Sequence, residues 1–228
     1  MKKEKREELD SWFPTICEEV MRSWGLPMDC RGGTVIDCGA NLGAFPAVFN
    51  VRFDRYICYE ADPNNYEYAK ENLKRLTFPD NFNLSQICTL ENKACYKNSG
   101  STVPIYKHVR GLSGDSSIYA GKDHLEKNKI ADVPTISLED IREKYFCDKC
   151  QVPIRLLKCD IEGAEYDFLL GKDLSIFEFI FIEVHGEDEL FRKMVNFIKK
   201  THNVNIIERL VAARLKSSLS KRKWSKTN

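Results

Sequence analysis

Apolar positions along this chain fall in short runs that alternate with helical spacings. Thr34–Cys38, Arg55–Tyr59, Leu84–Thr89, Ile154–Lys158, Phe179–Val184 and Asn205–Leu210 are compact runs that read as strands. Helices are predicted between them, at Phe45–Asn50, Pro63–Leu76, Ala164–Leu170 and Glu187–Lys200. Asp62 stands where the cap of the second helix belongs, and Ser137 with Asp140 three residues on marks the start of another. Before the first strand, Leu9, Trp12, Phe13, Ile16, Val20 and Trp24 recur at helical intervals, with Pro14 as a point where that helix would break or restart. The least regular stretch is 98–134, rich in Gly and Ser.

Strands that are apolar throughout, rather than on alternate residues, are buried on both faces. The pattern therefore predicts an α/β fold: a Rossmann-like, mostly parallel sheet with helices on both sides. The expected organisation is a helical segment over 1–30, one domain over 31–210 and a basic tail over 211–228. At 228 residues the chain is long enough for one domain with a sizeable core. No repeat period is visible, and no apolar run approaches the length of a membrane span; the longest, at 176–184, contains Glu178 and Glu183.

Charge is almost balanced, with 35 Lys+Arg against 34 Asp+Glu, but it is unevenly placed. Residues 209–228 hold seven basic residues and no acid, which leaves 28 basic against 34 acidic residues in the rest. Such a tail is a solvated end or a patch for an anionic partner, nucleic acid or a membrane face, and Leu210–Leu219 has the length of one or two amphipathic turns. The acidic body opposes nucleic acid. Nine cysteines, an odd number, include three inside predicted strands (Cys38, Cys58 and Cys159), which is not the pattern of a disulfide-stapled secreted domain. With no apolar leader in the first residues, the expected location is the cytoplasm. Cys147 and Cys150 make half a zinc site with no second half in sequence, so no metal is assigned to them.

Chemistry gathers where strands end, as it does in open parallel sheets. The first strand runs into Val35-Ile-Asp37-Cys-Gly39-Ala-Asn41-Leu-Gly43. The spacing lacks the second glycine of a dinucleotide fingerprint, and Asp37 is a poor neighbour for phosphates. A cationic ligand without pyrophosphate, such as S-adenosylmethionine (SAM), suits the loop better. Glu60 follows Gly39 by 21 residues, the distance at which a carboxylate reaches ribose hydroxyls. Leu157-Lys158-Cys-Asp160-Ile-Glu162-Gly-Ala-Glu165 crowds three acids and a lysine at the end of a strand. Acids at a helix start offset its dipole, which covers Glu165 well and Glu162 partly, but not Asp160. Glu183 and His185, two residues apart on one strand, share a face at the same edge.

These segments, VIDCGANLG, YEADP, TISLEDI, LLKCDIEGAEYDFLLG and FIFIEVHGE, resemble the FkbM family of SAM-dependent methyltransferases over residues 33–187. The resemblance implies a seven-stranded sheet and methyl transfer to an oxygen, typically a hydroxyl of a sugar or a small natural product. Carried over by motif, Asp37, Gly39, Asn41 and Gly43 line the methionine end of SAM, Glu60 binds its ribose and Asp62 lies near the adenine. Asp160, Glu162, Glu183 and His185 form the reaction mouth. Phe45 and Pro46 depart from the small or hydroxyl residues usual after the glycine loop.

An alcohol is a weak nucleophile at neutral pH, so a base or a metal assists its methylation. His185 is the expected base, with Glu183 or Asp160 orienting it, and Lys158 is expected to pair with Asp160. An oxygen set of Asp160, Glu162 and Glu183 would suit Mg2+ or Ca2+, but the reaction does not require a metal and none is assigned. Ser113, Ser116 and Ser117 are candidates to touch the acceptor or close over SAM. The expected partner is a small-molecule or glycan acceptor. Two rival readings are an RNA methyltransferase, against which stands the lack of an NPPY or DPPY tetrapeptide, and a non-catalytic SAM-binding module. Nothing in the sequence marks an oligomeric state.

Overall fold

A computed structural model of the chain describes residues 3–78, 82–108, 116–121, 125–145 and 154–217. Helix α1 (Lys3–Ser23) runs unbroken through Pro14. It is followed by β1 (Thr34–Cys38), α2 (Ala44–Val48), β2 (Arg55–Glu60) and α3 (Pro63–Arg75). Two short strands, β3 (Thr77–Phe78) and β4 (Phe82–Asn83), lead to β5 (Cys88–Asn92). Then come β6 (Ala94–Cys95), β7 (Thr102–Tyr106), β8 (Lys129–Ile136), α4 (Leu138–Tyr145) and β9 (Ile154–Cys159). The chain continues through α5 (Glu165–Leu169), β10 (Phe179–Glu183), α6 (Asp188–Ile198), β11 (His202–Ile207) and β12 (Leu210–Leu215).

Seven strands form the main sheet in the order β11-β12-β10-β9-β1-β2-β5. All neighbours from β10 to β5 pair in parallel, whereas β12 runs antiparallel to both β10 and β11. A three-stranded sheet, β6-β8-β7, flanks it. Among the described residues no helix is long and apolar enough to cross a membrane.

Alternation along the strands divides the core into two layers. Ile36, Ile57, Leu157, Ile180 and Ile182 face one layer, with Phe168 and Met194. Val35, Tyr56, Cys58, Leu156, Phe179 and Phe181 face the other, under Trp24 and Phe45. Both faces of the sheet are covered, as the uninterrupted apolar strands predict. The seven described cysteines, 17, 30, 38, 58, 88, 95 and 159, are free thiols.

Several elements differ from the sequence reading, and the stretch 98–134 read as least regular carries β7 and most of β8. The strand expected at 84–89 begins with a 3-10 turn over Leu84–Gln86, capped by Asn83, and extends only from Cys88. The single strand expected at 205–210 is a hairpin of β11 and β12, turned at Glu208 with φ 55. Leu210–Leu215 is thus a strand in the sheet rather than the start of a tail or an amphipathic turn. Its Val211 and Ala213 are buried against the core, which local charge composition does not reveal. Residues 218–228 and the Cys147–Cys150 pair lie outside the described residues.

Candidate active site

A cleft opens at the carboxyl ends of β1, β2 and β9, enclosing about 570 Å3 including the part open to solvent. Gly39, Asn41, Glu60, Asp160, Glu162 and Ser116 are among the residues that line it. Gly39 has φ 80 and Asn41 has φ 49, left-handed conformations that turn the chain sharply out of β1. That turn aims the Asn41 N–H at a Glu60 carboxylate oxygen at 2.7 Å, while the Asp62 N–H donates to the other at 2.8 Å. Burial and the nearby Asp62 charge push the Glu60 carboxyl up to about 8, against the pull of both donors. Asn41 Oδ1 is buried and has no hydrogen-bond partner among the described residues.

Beneath the loop lies a buried ion pair. Asp37 and Lys158 are register partners on β1 and β9, and Lys158 Nζ sits 3.3 Å from Asp37 Oδ1. The ammonium also donates to the Gly39 carbonyl at 2.6 Å and lies 3.9 Å from Asp160. It stacks over the Trp24 ring at 5.5 Å. Burial alone would lower the lysine pKa, but Asp37 and Asp160 together hold it above its ordinary value.

The mouth is built around His185. Its Nδ1 lies 3.0 Å from Glu165 Oε1, and its Nε2 lies 3.5 Å from Glu162 and 3.9 Å from Glu183. Glu165 is fully buried, and the same oxygen accepts the N–H groups of Ile161 and Gly163. Burial would lower the imidazole pKa, yet Glu165, Glu162 and Asp160 push it up to about 10. Burial and Asp160 raise the Glu183 carboxyl, with His185 opposing.

Of the ten residues singled out from sequence, Gly39, Asn41, Glu60, Asp160 and Glu162 line the cleft. Glu183 and His185 adjoin it through Asp160 and Glu162. The other three are not among the residues that line the cleft. Asp37 faces the α1 layer as the partner of Lys158, because strand alternation turns it away from the cleft. Gly43 turns toward α3, where a Cβ would meet Ala69 and Leu73 at 3.6 Å. Asp62 caps α3 through the Asn64 N–H and accepts the Ser116 hydroxyl at 2.9 Å. His185, the expected base, is engaged at Nδ1 by Glu165, and its Nε2 faces Glu162 and Glu183.

The sequence reading also missed Glu165 as the residue that orients His185. Its acid at a helix start was accounted for by the dipole, and only the tertiary approach of β10 brings His185 to it. Ser117 donates to the Glu162 carbonyl at 2.8 Å, so residues 116–117 strap the flanking sheet across the cleft. Ser113 lies outside the described residues.

A seven-stranded sheet in this order, with a glycine turn after the first strand and an acid ending the second, defines the class I methyltransferase fold. Residues 37–204 match the methyltransferase FkbM domain, and the chain belongs to that family. The methyltransferase FkbM of Methylobacillus flagellatus KT shares the fold, with a TM-score of 0.52 and 16% identity. The match covers 80% of this chain and 43% of that one, so this chain spans less than half its relative's length. M. capricolum TrmK, solved with S-adenosyl-homocysteine, gives a TM-score of 0.43 at 10% identity, over 81% of this chain and 63% of that one. The tRNA (m1A58) methyltransferase TrmI of Aquifex aeolicus gives 0.42 at 13%, over 90% and 69%. No curated protein matches this chain in sequence.

Proposed function

We propose that this chain transfers a methyl group from SAM to a hydroxyl of a sugar, glycan or small metabolite. The observation that carries this reading is that Asp160 and Glu162 belong both to the wall of the Glu60 cleft and to the acid–histidine mouth. A donor in the cleft and an acceptor in the mouth would meet at those two residues.

The residues present fit the cofactor. The Glu60 carboxylate suits the ribose hydroxyls, and the unpartnered Asn41 Oδ1 is an acceptor for the ammonium of the methionine end. Ala61, Ala94 and Ile118 supply apolar wall for the adenine. SAM supplies an electrophilic methyl group on a sulfonium. The chain's own part is to hold the acceptor oxygen in line with that methyl and to take its proton. The acid–histidine mouth supplies the proton acceptor in this reading, with Asp160 and Glu162 placing it beside the cleft. His185, fixed by Glu165 at 3.0 Å, holds its Nε2 toward the acids of the mouth.

The alternative of an RNA substrate loses some of its support. Three of the seven basic residues near the C-terminus are engaged within the fold: Arg209 with Asp188 and Arg214 with Asp29, each at 2.7 Å, and Lys216 with the Lys199 carbonyl at 2.6 Å. Calorimetric titration with SAM and S-adenosyl-homocysteine, followed by labelled-methyl transfer to a panel of glycans and hydroxylated metabolites, tests the reading. Micromolar binding that Glu60→Ala loses and His185→Ala keeps is the expected result. A folded wild-type chain that binds neither ligand would overturn it.

A further inference from the structure

We propose that Asp160, Glu183 and His185 hold one divalent first-row transition-metal ion at the carboxyl edge of the sheet. One ligand atom of each residue lies within 4.8 Å of the others, and no other such trio occurs among the described residues. Asp160 reaches the point from the turn after β9, Glu183 from the end of β10, and His185 from two residues further on.

Three observations point to a cation rather than to a set of acids that happen to adjoin. The first is the histidine's support: the buried Glu165 carboxylate engages Nδ1 at 3.0 Å and leaves Nε2 facing the acids. A carboxylate behind the imidazole, fixing which nitrogen points outward, is the usual outer-shell arrangement of a metal-binding histidine. The second is charge. Asp160, Glu162, Glu165 and Glu183 converge around one imidazole, while Lys158 is closer to Asp37 at 3.3 Å than to Asp160 at 3.9 Å. The third is access, since Asp160, Glu183 and His185 are each only part-buried, so an ion can enter and keep open positions.

The ligand set also selects the ion. Two carboxylate oxygens and one imidazole nitrogen suit Mn2+, Fe2+, Co2+ or Zn2+, whereas Mg2+ and Ca2+ sites are built from oxygen alone. This places His185 where the sequence reading had Glu162. With Nδ1 engaged by Glu165, the neutral imidazole offers its Nε2 lone pair to the ion. The site stands on these side chains whether or not the cleft takes SAM.

The test uses the full chain, stripped with a chelator, and follows Mn2+ by electron paramagnetic resonance with no SAM present. One saturable ion per chain is expected, with affinity reduced at least tenfold in Glu183→Gln and in His185→Gln. Glu165→Gln should weaken binding by roughly 10–100-fold, as loss of an outer-shell partner does. Glu60→Ala should leave it unchanged, which separates this site from the cofactor cleft. Circular dichroism confirms that each variant is folded, and the three ligand-side variants are independent of one another. Zn2+ should displace Mn2+ at equimolar concentration and Mg2+ should not. Absence of saturable Mn2+ binding, equal binding in Glu183→Gln and His185→Gln, or equal displacement by Mg2+ would each overturn the proposal.

Discussion

A Cβ placed on Gly39 would stand 1.8 Å from the carbonyl oxygen of Asp160. The glycine is therefore required by the fold itself, where the turn after β1 passes against the turn after β9. Gly39 also has φ 80, which an L side chain adopts at a cost. Gly39→Ala should push Asp160 out of the cleft and destabilise the chain by about 2–4 kcal/mol. Urea unfolding measures the loss, and SAM titration should show binding weakened well beyond tenfold. An alanine variant of wild-type stability would mean that the two turns do not meet.

The Lys158–Asp37 pair makes a second prediction. Neither residue is exposed, and neither Asp37 oxygen has a hydrogen-bond partner among the described residues, so the ammonium alone compensates that carboxylate. Lys158→Met strands a buried charge and should cost about 3–5 kcal/mol in urea unfolding. Adding Asp37→Asn to the same chain should restore much of the loss. If the double variant is no more stable than the single one, the pair is not the source of the effect.

Glu60 couples ligand binding to pH. With its carboxyl raised to about 8, it is largely protonated at pH 6 and ionised by pH 9. A ribose hydroxyl donates better to a carboxylate, so SAM affinity should rise across that range by roughly tenfold. The sign for stability is opposite. Between the ordinary glutamate pKa and about 8 the folded chain binds the extra proton, so this group's contribution to stability falls as pH rises through that interval. Calorimetry at pH 6 and 9 on wild type and Glu60→Gln decides: the variant should show a flat profile.

The strap formed by residues 116–117 should matter for binding more than for folding. Ser116 donates to Asp62 at 2.9 Å and Ser117 to the Glu162 carbonyl at 2.8 Å, one on each side of the cleft. Each bond is worth about 1 kcal/mol. The double alanine variant should bind SAM about 5–30-fold more weakly while its melting temperature moves by only a few degrees. Faster amide exchange at 62–65 and 162–163 would accompany the loss.

Much of the fold is legible in the sequence because burial on both faces leaves a local mark. Thr34–Cys38 and Arg55–Glu60 carry an apolar run at their centres and are buried at every position but Arg55, and Asp62 before Pro63 announces α3. The β11–β12 hairpin is not legible: Arg214 and Lys216 give its last residues the look of a basic tail, and only pairing with β10 shows them to belong to the sheet. At the site, Gly39, Asn41, Glu60, Asp160 and Glu162 are legible because a parallel sheet gathers its strand ends at one edge. Asp37 sits among the same residues in sequence, yet faces the opposite layer.

The sequence by itself determines the sheet, its family and the acids at its carboxyl edge, since strand periodicity and motif spacing are properties of neighbouring residues. The tertiary structure alone decides what those acids do. Glu165 and His185 are 20 residues apart and meet at 3.0 Å; Lys158 and Gly39 are 119 apart and meet at 2.6 Å. Whether a histidine carries a proton, and which way an aspartate points, depends on charges brought together across the sheet. Coulomb interactions fall with distance in space, not along the chain.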